Sequence, residues 1–227
     1  MNKANKIWAL VPIKAFGKAK TRLRPALTND QCAALARHMA VDVVTALRNA
    51  SMLQGITLLG EEPVVARFAR ELHCDYLADA PGADLSANLD SAADYLKLAG
   101  VDVLLVLPSD LPMLRAADID EVLNQHAGGL SICPASRDGG TNALVMSPPG
   151  AIEFCFGRDS ARRHLEAAGA AELRSAQMTR AAFSRDIDTP DDLIWLCQHS
   201  SPGRTSDYLN VSRICEKLLG TDATAFA

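Results

Sequence analysis

No Gly-x-Gly-x-x-Gly follows the first apolar run of this 227-residue chain, which argues against a dinucleotide redox cofactor. Ser109 sits outside any Gly-x-Ser-x-Gly elbow, so hydrolase chemistry of that kind has no support. The six cysteines (Cys32, Cys74, Cys133, Cys155, Cys197, Cys215) form no Cys-x-x-Cys pair and stand at no metal-like spacing from a histidine. They are expected to be buried thiols in a reducing compartment, neither disulfides nor a zinc site. The histidines (His38, His73, His126, His164, His199) do not cluster and read as ordinary helix or loop residues. The N-terminal apolar run, Ile7–Ile13, is closed by Lys14; it is too short for a signal peptide or a membrane span, and a cytoplasmic protein is expected. There is no internal repeat and no low-complexity tract. A net charge of −4 excludes general nucleic-acid binding as the main role.

What the chain does carry is concentrated at strand ends. The run Trp8-Ala-Leu-Val-Pro-Ile empties into Lys14-Ala-Phe-Gly17-Lys18-Ala-Lys20-Thr-Arg22. Dense positive charge with no acidic residue among it, directly after a buried strand, suits a nucleoside triphosphate, whose oxygens lysines and backbone N–H groups can hold. Thr28-Asn-Asp-Gln31 is a capping box, followed by an amphipathic helix to about residue 49. Strands are expected at 7–13, 56–59, 74–77, 102–108, 130–134, 143–146, 174–178 and 183–187. Helices are expected at 62–72, 86–99, 116–126, from 160, at 190–199 and at 207–219, the last after a polar linker at 201–206. Such alternation is that of an α/β protein, an open and mostly parallel sheet with helices on both faces. Residues 1–200 form one domain in this reading, and 201–227 a linker and helical tail.

In open α/β sheets, ligands bind beyond the carboxyl ends of the strands. Two acidic motifs lie there besides the basic loop. Pro108-Ser-Asp110-Leu-Pro112 presents an aspartate held between prolines, which suits Mg2+. Asp186-x-Asp188 puts two carboxylates on one face of an extended segment, with capping of the next helix and metal binding divisible between Asp188 and Thr189. Gly139, Gly140 and Thr141 offer backbone donors in a turn, and Gly157 and Ser160 offer them at a helix start, where an anion is well placed. Turn chemistry and an N-cap at Asp159 or Ser160 account for the same residues equally well.

Together, Val11-Pro-Ile-Lys14, Lys18-Ala-Lys-Thr-Arg-Leu23, Pro108-Ser-Asp-Leu-Pro112, Asp138-Gly-Gly-Thr-Asn142, Phe156-Gly-x-x-Ser160 and Asp186-Ile-Asp-Thr-Pro190 resemble the CofC/FbiD guanylyltransferases of coenzyme F420 biosynthesis, over about residues 7–199. The resemblance implies a Rossmann-like nucleotidyltransferase fold with a mixed, mostly parallel sheet. It implies transfer of GMP from GTP to 2-phospho-L-lactate, phosphoenolpyruvate or 3-phospho-D-glycerate, with release of pyrophosphate. Asp110, Asp186 and Asp188 would hold Mg2+, and Asp110, Lys18 and Arg22 would act in catalysis. Pro12, Lys14, Gly17, Lys18, Lys20, Arg22, Gly60 and Asn88 would bind the nucleotide, with Leu59 and 81–88 bordering the guanosine. Thr141, Gly157 and Ser160 would bind the acceptor. Where many members are richer in glycine, this chain reads Gly82-Ala-Asp-Leu-Ser-Ala-Asn88. The implied partners are the two substrates and a downstream transferase of F420 assembly, with no nucleic acid or membrane. The alternatives are a nucleotidyltransferase of this fold with another acceptor, such as a cofactor precursor or sugar phosphate, and a non-catalytic GTP-binding regulator. The three aspartates speak against the last.

Overall fold

The computed structural model describes residues 5–199 and 202–222. Its sheet comprises β1 (Ile7–Ile13), β2 (Gly55–Gly60), β3 (Asp75–Ala78), β4 (Val103–Val106), β5 (Gly129–Pro134), β6 (Thr141–Ser147) and β7 (Ser175–Gln177), in the order β3-β2-β1-β4-β6-β5-β7. The first four strands are parallel; β6 runs antiparallel to both β4 and β5, and β7 is parallel to β5. The helices are α1 (Asn29–Asn49), α2 (Val64–Glu71), α3 (Leu85–Leu98), α4 (Ala116–Gln125), α5 (Ser160–Ala170), α6 (Ala181–Ser184), α7 (Pro190–His199), α8 (Arg204–Val211) and α9 (Ile214–Asp222). Among the described residues, no helix is long and apolar enough to cross a membrane.

The two-residue period of the strands builds two cores at once. Ala9, Val11 and Ile13 of β1 join Val43 and Leu47 of α1, Phe68 of α2 and Ile119 of α4 on one face. Leu10 joins Leu89 of α3 and Ala161 and Ala168 of α5 on the other. Burial on both faces is why β1 and β4 read as unbroken apolar runs. The capping box is present: the Thr28 hydroxyl accepts from Gln31 N–H at 3.2 Å, and the Gln31 amide oxygen accepts from Thr28 N–H at 2.9 Å.

A third cluster anchors the site. Leu23, which ends the basic loop, lies with Leu35 and Met39 of α1, Ile187, Leu193 and Leu196 of α7, Leu209 of α8 and Ile214 of α9. The basic loop and the Asp186–Asp188 segment therefore rest on one apolar base. Asp42 of α1 fixes the C-terminal helices onto it: each of its two oxygens accepts a 2.8 Å bond, one from Arg204 N–H and one from Thr205 N–H, at the start of α8.

Three sequence expectations need correction. Residues 183–187 are no strand: α6 ends at Ser184, and the chain then continues outside the sheet. Phe183 and Ile187 are both fully buried, so their spacing mimicked strand alternation. The last helix is two helices, separated where Arg213 takes a positive φ of 56°, and the first of them begins inside the expected linker. Finally, Cys197 and Cys215 are disulfide-bonded, with Cα atoms 5.3 Å apart. The bond joins α7 to α9 across a helical turn-back that spacing alone does not show. Cys32, Cys74, Cys133 and Cys155 are free thiols; Cys32 and Cys133 are buried as expected, whereas Cys74 and Cys155 are half-buried, and burial pushes the Cys133 thiol up to about 12.

Candidate active site

The basic loop is shaped by two 3-10 turns, Phe16–Lys18 and Thr21–Leu23, with Lys20 between them at φ 54°. A left-handed conformation is uncommon for a residue with a side chain. Here it accompanies a lysine whose side chain is only 7% exposed. The Lys20 ammonium lies against Asp110 and donates to Asp188 at 2.8 Å. Burial by itself would lower the Lys20 pKa, but the charges of Asp110 and Asp188 outweigh it and hold the ammonium above its usual value.

The acidic side is assembled from two loops. Ile187 N–H donates to the Asp110 carbonyl at 3.1 Å, fastening the 185–188 segment to the loop after β4. Asp110, Asp186 and Asp188 then each present a carboxylate oxygen, all within 4.8 Å of one another. Burial, and then the neighbouring Asp110 charge, raise the pKa of Asp186. Asp188 also feels burial, yet Lys20, Arg137 and Arg22 hold it below the usual carboxylate range. Asp110 Oδ1 is buried without a hydrogen-bond partner. A hard oxygen left unsatisfied beside two further carboxylates is the donor set that Mg2+ takes, so the residues fit such a cation.

Asp110 and Asp188, but not Asp186, line a cleft of about 640 Å3, within the range of small-molecule sites. Pro12, Lys14, Lys18, Lys20, Arg22, Leu59, Asn88, Asp110 and Asp188 line it. Lys18 and Arg22 are largely exposed and meet acids from elsewhere in the chain, Glu61 at 2.9 Å and Asp188 at 3.4 Å. Asn88 is buried and shapes the border: its side chain accepts from Ala80 N–H at 2.8 Å and donates to the Ala83 carbonyl at 3.4 Å. Gly17 and Gly60 are off the lining. A Cβ at Gly17 would meet nothing, whereas one at Gly60 would lie 2.4 Å from the Ile13 carbonyl oxygen. Gly60 is thus required for close packing of β2 on β1.

Thr141 and Ser160 do not line this cleft; both are buried, and Gly157 is exposed. Thr141 Oγ1 lies 2.9 Å from Ser160 Oγ and 3.1 Å from His164 Nδ1. Cys155 N–H donates to His164 Nε2 at 2.9 Å, so the ring proton belongs on Nδ1 and points to Thr141. Burial, with Arg163 adding to it, lowers His164 to about 4. Asp159 is the N-cap of α5 without a side-chain capping bond. On α7 the two roles divide: Thr189 exchanges the capping bonds with Asp192, which leaves Asp188 for the carboxylate cluster.

Sequence reasoning missed Arg137, Asp192 and His164. Arg137 bridges Asp186 and Asp188 at 3.3 Å each and pairs with the buried Asp192 at 2.7 Å. Its place just before the Asp138-Gly-Gly-Thr turn was the one available signal.

The family profile described as "Guanylyl transferase CofC like" matches residues 7–224. This chain belongs to that family. The match runs beyond residue 199 and takes in all of α8 and α9. A phosphoenolpyruvate guanylyltransferase of Sphaerobacter thermophilus is 33% identical over 200 residues, covering 88% of this chain and 96% of the relative. A 2-phospho-L-lactate guanylyltransferase of Methanobrevibacter smithii is 27% identical over 208 residues, covering 92% and 91%. Among solved structures, a provisionally named nucleotide-diphospho-sugar transferase of Desulfovibrio desulfuricans superposes with a TM-score of 0.78 at 23% identity, over 94% of this chain and 98% of that one. The sheet and these likenesses establish the Rossmann-like nucleotidyltransferase fold of this guanylyl transferase CofC-like protein.

Proposed function

We propose that this CofC-like protein transfers GMP from GTP to the phosphate of a small phosphorylated carboxylic acid and releases pyrophosphate, in coenzyme F420 biosynthesis in the cytoplasm. The observation that carries the reading is the clustering of Asp110, Asp186 and Asp188, two of which meet Lys20 and Arg22 on the lining of a nucleotide-sized cleft. Phosphoenolpyruvate and 2-phospho-L-lactate, the acceptors in the two relatives' names, and 3-phospho-D-glycerate are the acceptors to test.

The nucleophile, a phosphate oxygen, is already an anion, so no general base is required; charge neutralisation and alignment are what the protein must supply. Lys18 and Arg22 serve the triphosphate. Their present ion pairs are exposed, and exposed pairs are worth at most about 1 kcal/mol, so GTP phosphates can take these groups over. Lys14 adds charge on the same wall. Lys20 and Arg137 keep three close carboxylates from repelling one another, and Asp192 in turn orients Arg137. Mg2+ held by Asp110, Asp186 and Asp188 would neutralise charge at the transferring phosphoryl group. Thr141, Gly157 and Ser160 serve the acceptor, with His164 orienting the Thr141 hydroxyl and Thr141 in turn bonded to Ser160.

Pyrophosphate release, measured for each nucleoside triphosphate against each phosphoacid with Mg2+, tests the reading. It predicts release with GTP and at least one of the three phosphoacids, with product mass equal to GMP joined to the acid. Release only with a sugar phosphate, or GTP binding with no turnover, would replace it by one of the two alternatives.

A further inference from the structure

Asn142 carries a cost that the fold does not explain. The residue is 5% exposed, and its side-chain amide nitrogen is buried with no hydrogen-bond partner. A buried donor left unmade is destabilising, whereas an apolar side chain of the same shape would be neutral or stabilising there.

Its position is specific. β4 and β6 pair with Val106 opposite Leu144; two residues further along that register, Asn142 comes level with Pro108, at the head of the loop that carries Asp110. On the other edge of β6 the register shifts: Cys133 pairs with Ala143, but Pro134 pairs with Thr141. Asn142 is the extra residue of that bulge, a device that re-aims a side chain and recurs beside active sites. Ser136 to Gly140 form the preceding turn, and Asn142 is absent from the lining of the nucleotide-sized cleft. Asn142 directly follows Thr141 on β6, the residue that the proposed function gives to the acceptor.

We infer that Asn142 binds the acceptor, its amide N–H groups donating to an anionic oxygen of the phosphoacid; this rests on the function proposed above. A neutral amide offers donors without forming an ion pair with the acidic groups of the site, so the donors stay available for the substrate. The amide nitrogen is covered in the ligand-free protein, so the acceptor reaches it only through a local rearrangement around Asn142.

The test uses the full-length protein, with Asn142→Leu and Asn142→Ala beside wild type. Thermal unfolding is followed without ligand, and steady-state kinetics are taken with GTP and phosphoenolpyruvate. Asn142→Leu is expected to unfold at a higher temperature than wild type. Both variants are expected to raise KM for phosphoenolpyruvate roughly tenfold or more, the loss of one hydrogen bond to a charged group, with KM for GTP unchanged. An unchanged acceptor KM in either variant, or a lower unfolding temperature for Asn142→Leu, overturns the inference and leaves the proposed function standing. Wild type that transfers GMP to none of the three phosphoacids overturns the function, and the inference with it.

Discussion

The carboxylates and the lysine between them set the chemistry at the scale of single residues. Asp110→Asn removes one charge stabiliser without touching a core contact, and turnover is expected to fall about 10²-fold or more; wild-type turnover at saturating Mg2+ would exclude Asp110 from the site. Lys20→Met leaves Asp110 and Asp188 facing each other in a mostly buried place. Breaking such a pair costs about 3–5 kcal/mol, and added Mg2+ should restore part of that loss, raising the variant's unfolding midpoint more than wild type's. An equal response of both proteins to Mg2+ would mean that Lys20 and the cation do not share those carboxylates. His164, held at about 4 in the folded protein, gives a pH signature. Between the unfolded value of about 6.5 and the folded value, only the unfolded chain takes up the proton, so stability falls as pH falls through that window, by up to about 1.4 kcal/mol per pH unit. Urea unfolding should show a flatter profile there for His164→Gln than for wild type. The three aspartates were legible because each follows a strand end or stands in a short acidic motif. Arg137, Asp192 and His164 were not: Arg137 meets its partner 55 residues away, and the role of His164 comes only from Thr141 and Cys155.

At the scale of elements, period and punctuation carried most of the fold. β1 and β4 were readable because burial on both faces leaves an apolar run, whereas β7, Ser-Ala-Gln with all three residues exposed, carries no such run. The segment at 183–187 was misread because a single helical turn and a loop can bury Phe183 and Ile187 as a strand would. The break between α8 and α9 hangs on the backbone of Arg213, a residue with no sequence mark of a turn. The disulfide was illegible for a related reason, since Cys197 and Cys215 meet only after the chain turns back through Pro202 and Gly203. It closes a sequence separation of 18, and in the chain-entropy account a loop of that length contributes about 3 kcal/mol. Cys197→Ser, or reduction of wild type, is therefore expected to lower the unfolding midpoint. Because α7 starts beside Asp188 and shares its apolar base with Leu23, turnover near the melting range should fall as well. No change of midpoint under reductant would show that α9 contributes nothing through this bond.

For the molecule as a whole, topology brings the site together. β1 and β4 are neighbours at the centre of the sheet, so the basic loop and the Asp110 loop leave it side by side, and the α7 connection returns Asp186 and Asp188 to them. The reversed strand β6 places Thr141 and Asn142 at the same end. One cleft with a basic wall and an acidic end follows, and the account's central claim is what happens there: the phosphate of a small acid attacks the α-phosphorus of GTP. The most direct measurement supplies each phosphoacid with heavy oxygen in its phosphate, together with unlabelled GTP and Mg2+, and weighs both products. The account predicts a GMP-phosphoacid conjugate that retains the whole label, and pyrophosphate that carries none. Label in the pyrophosphate, or no conjugate from any of the three acids, would contradict it.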